Sequence, residues 1–198
     1  MSRYAVIYDA CVLYPAPLRD LLIQLATANL FRAQWTDKIQ EEWISNLLAD
    51  RRDLDRSALE RTRELMNTAV MDSIVSGYEH LIDGIVLPDP DDRHVVAAAV
   101  HARADAIVTY NLRDFPEEIL KSLNLEAIHP DDFLTYQFDL SDAAVIQAAS
   151  AICRRLRNPG KSGTDYLDAL LVQRLPKTVA VLRPFQSIIC PETITQQP

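Results

Sequence analysis

Short apolar segments alternate with helix-like stretches through the first 138 or so residues, and no feature constrains the fold more. The apolar segments are RYAVIY (Arg3 to Tyr8), FRAQW (Phe31 to Trp35), GIVLP (Gly84 to Pro88), DAIVT (Asp105 to Thr109) and EAIHP (Glu126 to Pro130). Each is too short for a helix and rich in β-branched or aromatic residues, so each reads as a buried strand. Between them lie helical patterns. One starts near Pro17 with Leu18, Leu21, Leu22 and Leu25 on a single stripe. The next has Thr36 as N-cap and Ile39, Trp43 and Leu47 at helical spacing. A third covers about Asp55 to Val75, and RHVVAAAVHARA makes a fourth. FPEEILKSL and DDFLTYQF are shorter ones. Such alternation demands crossover connections, so the expectation is an α/β fold with a central parallel sheet and helices on both faces.

The pattern changes near Asp139. No strand is expected beyond it. SDAAVIQAASAICRRL, capped by Ser141, TDYLDALLVQRL and KTVAVLRPF read as helices, with NPGKSG as a loop. The expected organisation is one α/β domain over residues 1–138 and a helical extension over residues 139–198.

Composition narrows the function. Only four glycines occur in 198 residues, and neither GxGxxG nor GxxxxGK[ST] is present, so glycine-rich phosphate loops are excluded. The 28 acids outnumber the 20 bases for a net charge of −8, which argues against broad nucleic-acid binding but leaves local binding open. The basic clusters Arg51 to Arg56 and Arg154 to Lys161 read as solvated helix faces. Cys11, Cys153 and Cys190 form neither a zinc pattern nor a disulfide framework, which points to a reducing compartment. No apolar run approaches a membrane span and no signal peptide is visible, so a cytoplasmic location is expected. His80, His94, His101 and His129 are scattered, and core or surface roles are expected for them.

Acids gather where the strands end. Asp9 follows the first strand; Asp89, Asp91 and Asp92 follow the third; Asn111 and Asp114 follow the fourth. Ligands of open parallel sheets bind beyond the carboxyl ends of the strands. Glu42 lies on the helix after the second strand. Oxygen donors without matching cations suit a hard divalent ion, Mg²⁺ or Mn²⁺, and such sites commonly handle phosphates. Each acid also has a plainer role open to it. Asp9 can be a turn residue, Asp91 or Asp92 the cap of the next helix, Asp114 the cap of the helix at Pro116, and Glu42 a surface residue.

The stretches VIYDACVLYP, WTDKIQEEW and PDPDDRHVVAAAVHARADAIVTYNLRDFP resemble the PIN-domain ribonucleases, and within them the VapC-like toxins of toxin–antitoxin pairs. The last 60 or so residues resemble the helical C-terminal extension of one PIN subgroup. The resemblance implies a three-layer α/β/α PIN-like fold and metal-dependent cleavage of RNA that leaves a 5′-phosphate and a 3′-hydroxyl. It assigns catalysis to Asp9, Glu42, Asp92 and Asp114, with Glu41 as fallback for Glu42. It assigns metal binding to Asp9, Asp92, Asn111 and Asp114. Where many members read Thr-x-Asp, this chain reads TYN, which puts Asn111 at the fourth acid position and leaves Asp114 as the alternative. Arg93 and Arg113 flank the acids and could contact RNA phosphates, or equally pair with those acids. The implied partners are an RNA substrate and a cognate antitoxin protein; a homodimer stays open. A catalytically weakened PIN-like protein that binds RNA or protein is the competing reading, favoured by Asn111.

Overall fold

Ala5–Tyr8 (β1) has all four side chains buried. Successive strand residues face opposite sides, so both faces of the sheet must be covered. The computed structural model describes residues 4–156 and 162–191. Its sheet has four strands, all parallel, in the order β2-β1-β3-β4, with β2 at Arg32–Gln34, β3 at Ala106–Val108 and β4 at Glu126–Ile128. Helices on both faces complete the expected three-layer α/β/α arrangement.

The helices follow the sequence pattern closely. A single turn, Ala10–Leu13 (α1), leads into Ala16–Ala26 (α2), whose Leu18, Leu21, Leu22 and Leu25 are all fully buried. Asp37–Asp50 (α3) starts on Thr36, whose hydroxyl accepts from the Ile39 amide at 3.0 Å. Arg56–Ala69 (α4) lies beside it, and Asn67 accepts from both Trp35 Nε1, at 2.9 Å, and Gln40 Nε2, at 3.0 Å. Arg93–Ala102 (α5) packs on β1 and β3 with Val95 to Ala99 buried. Glu117–Ser122 (α6) precedes β4. Then come Pro130–Leu140 (α7), Asp142–Arg155 (α8), Gly163–Val172 (α9), Pro176–Leu182 (α10) and Gln186–Ile189 (α11). The helix α7 runs through the expected domain boundary at 138/139. The loop at NPGKSG lies mostly outside the described residues, as does the first residue of the expected strand RYAVIY.

Three expectations need correction. GIVLP is not a strand. Glu79–Gly84 is a turn of 3-10 helix, and Ile85 and Leu87 are buried with Val86 exposed on a segment that pairs with nothing in the sheet. Alternating burial is enough to look like a strand, but Pro88 and Pro90 lack ladder donors and both edges of β1 are already taken. The outer edge of β2 is met instead by residues 73–75. The Trp35 amide donates to Ser73 O and the Val75 amide to Trp35 O. The helix expected to reach Val75 therefore stops at Ala69.

The third correction concerns the cysteines. Cys153 on α8 and Cys190 after α11 form a disulfide, with Cα atoms 5.7 Å apart. Tertiary packing of two helices brings the thiols together across a separation of 37 residues, which no spacing rule anticipates. Cys11 stays free.

The extension is tied to the α/β unit by a buried carboxylate. Asp131, in the first turn of α7, accepts from the amides of Lys177 and Thr178 at 2.9 and 2.8 Å and from the Thr178 hydroxyl at 2.7 Å. These are first-turn donors of α10, whose own N-cap residue is the apolar Leu175. Phe133 on α7 meets Phe31 and Tyr8 edge-on, with centroids 5.0 and 6.4 Å apart.

Candidate metal centre

β1 and β3 are neighbours, while the chain leaves β1 for β2 on one side and β3 for β4 on the other. The crevice where such connections diverge is the usual ligand site of a parallel sheet. Asp9 sits at its mouth. It is 4 % exposed, and its side chain makes no cap bond to α1, so the turn role does not apply. Its Oδ2 instead accepts from the Thr109 hydroxyl at 2.7 Å and from Cys11 Sγ at 3.0 Å. Thr109 Oγ1 in turn accepts from the Asn111 amide at 2.9 Å. The end of β3 thus holds the acid from the end of β1, and neither of Asp9's bonds engages Oδ1. Burial, followed by the Asp9 charge, pushes the Cys11 thiol well above its usual range, which argues against a nucleophilic role.

A cavity of about 500 Å³ opens there, lined by Asp9, Glu42, Asp50, Asp91, Asp92, Asn46, Asn111 and a few neutral side chains, Tyr14 and Cys11 among them. Among the described residues, no lysine or arginine lines it. Four of the expected site residues, Asp9, Glu42, Asp92 and Asn111, share this wall. Asp92 stands at the N-cap position of α5, but its side chain makes no cap bond there; Asp89 caps the preceding 3-10 turn Pro90–Asp92, accepting from the Asp91 amide at 2.8 Å. Burial first, then the charges of Asp9, Asp89, Asp114 and Glu42, push the Asp92 carboxyl up to about 7.

Asp114 is outside the cavity lining, yet close enough for its charge to act on Asp92. It does not cap α6, which starts on Pro116 with no side-chain cap. Arg113 is exposed on the same turn. Arg93 opens α5 beside Asp92, with its Nε buried and without a hydrogen-bond partner. Glu41 faces elsewhere, bound to Arg56 at 2.7 Å and to Ser45, so the fallback does not apply.

Some site residues were not anticipated. Asn46, Ala49 and Asp50 fall at i+4, i+7 and i+8 from the expected Glu42 on α3, one helical stripe beside the buried one. That spacing was the available signal. Tyr14 donates to Asp50 Oδ2 at 2.7 Å. His94, 2 % exposed, places Nε2 at 2.9 Å from Glu42 Oε1.

Among the described residues, no three acid, His or Cys side chains stand close enough to ligate an ion as they lie. The donor set nevertheless suits a hard cation. Five carboxylates and two amides line one wall, and burial, then the charges of Asp9, Asp89, Asp114 and Glu42, raises the Asp92 carboxyl to about 7.

The PIN domain model matches residues 5–113, and the VapC50 C-terminal domain model matches residues 130–184. A Mycobacterium tuberculosis protein named "Putative ribonuclease VapC50" is 41% identical over 92 residues, which cover 46% of this chain and 54% of that protein. The match therefore spans about half the length of that curated relative. No solved structure matches.

Proposed function

This chain belongs to the PIN-domain family and carries a VapC50-type C-terminal domain, and from that premise we propose that it is a Mg²⁺- or Mn²⁺-dependent endoribonuclease, the toxin of a toxin–antitoxin pair. The observation that carries the reading is the carboxylate wall at the β1/β3 crevice, with Asp92 raised to about 7. The relative's name supplies the ribonuclease. The proposal gives residues 1–138 the chemistry, makes residues 139–198 its extension, and takes a protein antitoxin as partner. No described helix is long and apolar enough to cross a membrane.

Asp9, Asp92 and Asn111 would hold the ion, with Glu42 and Asp114 adding negative charge around it. A divalent ion, when bound, polarises phosphoryl oxygens and acidifies water. The residues do the rest. Thr109 and Cys11 fix Asp9 from one side. His94 orients Glu42 from behind. Asp92, whose carboxyl burial and then the neighbouring acids push up to about 7 in the ion-free protein, would give up its proton when the ion binds. Arg93, and Arg113 on the exposed turn, can meet RNA phosphates.

Asn111 on the cavity wall favours a second reading, a weakened nuclease that binds RNA or protein without cutting. One assay separates them. The purified protein, free of antitoxin, is incubated with RNA and Mg²⁺ or Mn²⁺, with and without chelator. The nuclease reading expects chelator-sensitive cleavage with 5′-phosphate ends, lost in Asp9→Asn at unchanged melting temperature. RNA binding without cleavage in any metal supports the second reading; Asp9→Asn cutting at the wild-type rate removes Asp9 from the mechanism.

A further inference from the structure

The turn between α9 and α10 reaches back to the strand end that carries the site. Tyr110, between Thr109 and Asn111, donates its hydroxyl to the Gln173 carbonyl at 2.6 Å. Its ring also meets His129 edge-on, with centroids 5.1 Å apart. This tie sets Val172, Gln173 and Arg174 of the extension opposite Cys11, Pro15 and Tyr110, with a groove of about 220 Å³ between them. Cys11 lines both the groove and the acidic cavity, so the two adjoin.

With a divalent ion held among the acids, both spaces would offer positive charge to a polyanion. The acidic cavity has no lysine or arginine on its walls, whereas the groove beside it carries Arg174. RNA that presents one phosphate to an ion held by the acids must place its neighbours nearby, and those neighbours need cations. The groove is smaller than the roughly 300–1,000 Å³ of pockets that bury a whole drug-sized ligand. Its charged lining residue, Arg174, favours a phosphate over a neutral base. Arg174 itself is exposed and has φ +58°, with its amide bonded to Leu171 O at 2.9 Å. Its guanidinium fork matches a phosphate geometrically.

We propose that this groove is a subsite for an RNA backbone phosphate next to the one cleaved, with Arg174 as the phosphate contact and Val172 and Pro15 flanking the sugar. The extension then completes the substrate-binding surface of the nuclease. The proposal rests on the ribonuclease reading above.

The test uses the full chain carrying Asp9→Asn, a labelled single-stranded RNA and a salt titration of Kd. Arg174→Gln removes the charge, and Arg174→Gly does so with a residue at ease at positive φ. Both are expected to weaken binding and to lower the log–log salt slope by about 0.7, one single-strand contact. Arg174→Lys is expected to keep the slope. In the cleavage-competent chain, Arg174→Gln raises KM several-fold on a long RNA with kcat kept, and has no effect on a substrate too short to reach the groove. Unchanged slope and KM in both neutral variants, with wild-type cleavage intact, overturn the subsite alone. A wild-type chain that neither binds nor cuts RNA overturns the ribonuclease reading and the subsite with it.

Discussion

Glu42 Oε1 lies 2.9 Å from Nε2 of the buried His94, across the gap between α3 and α5. The contact turns a residue of one helix into the orienter of an acid on another. Outer partners of this kind typically change metal affinity or activity about 10–100-fold when removed. His94→Ala is therefore expected to raise the divalent-ion concentration for half-maximal cleavage by about that factor. His94→Gln, which retains a donor, should lose less. Activity measured against metal concentration, with melting curves alongside, checks this. Equal midpoints for wild type and both variants would detach His94 from the site.

Asp92 makes the metal-free fold sensitive to pH. Its folded value, about 7, lies above its ordinary value of 3.8. A raised carboxyl favours the protonated fold, so its contribution to stability is complete below about pH 4 and disappears as pH rises through about 7. Through this group the metal-free protein should melt lower at pH 8 than at pH 5, and Asp92→Asn should flatten that dependence. Added Mg²⁺ should raise the melting temperature more at pH 8 than at pH 5. Thermal scans across pH, with and without the ion, decide it; an identical pH profile in Asp92→Asn would sink the idea.

Asn111 and Asp114 differ in kind. Asn111 stands on the cavity wall, while Asp114 acts on Asp92 by charge. Asn111→Asp adds a carboxylate to the wall and should tighten Mn²⁺ binding. Asp114→Ala removes one of the charges that raise Asp92, so it should weaken Mn²⁺ binding and move the pH midpoint of binding downward. Calorimetric Mn²⁺ titrations of the three proteins test both directions.

Asp131→Ala strands three donors of α10's first turn, two of them amides. Loss of a buried acceptor costs roughly 1–3 kcal/mol per stranded group, more where charge is involved. A loss of about 3 kcal/mol or more is expected, read from urea unfolding. Asp131→Asn should recover part of it, since the amide oxygen still accepts. A change under half a kilocalorie for the alanine variant would contradict the capping role.

Much of this was legible because burial and chain direction leave marks in a sequence. An acid that ends the fully apolar run AVIY must lie at a sheet end or be paired, and Asp9 does both. The leucine stripe of α2 and the Thr36 cap could be read for the same local reason. What escaped depends on contacts between distant elements. Nothing near His94 announces Glu42, and nothing near Cys153 announces Cys190. The segment Gly84 to Pro88 misled because alternation reports burial, while strand formation also needs a free sheet edge.

Helix α7 bears on how such a chain could be cut or recombined. By likeness it opens the second matched segment, which begins at residue 130. By packing it belongs to the first, since Phe133 meets Phe31 and Tyr8 beneath the sheet. At the same time Asp131 holds the start of α10. A transplanted extension would have to arrive with a ring to fill the Phe133 site and an acid to start its own later helix. An α/β unit excised before residue 130 would expose the faces of Tyr8 and Phe31 to water. The two matched segments can be told apart by ancestry, but they share one interior.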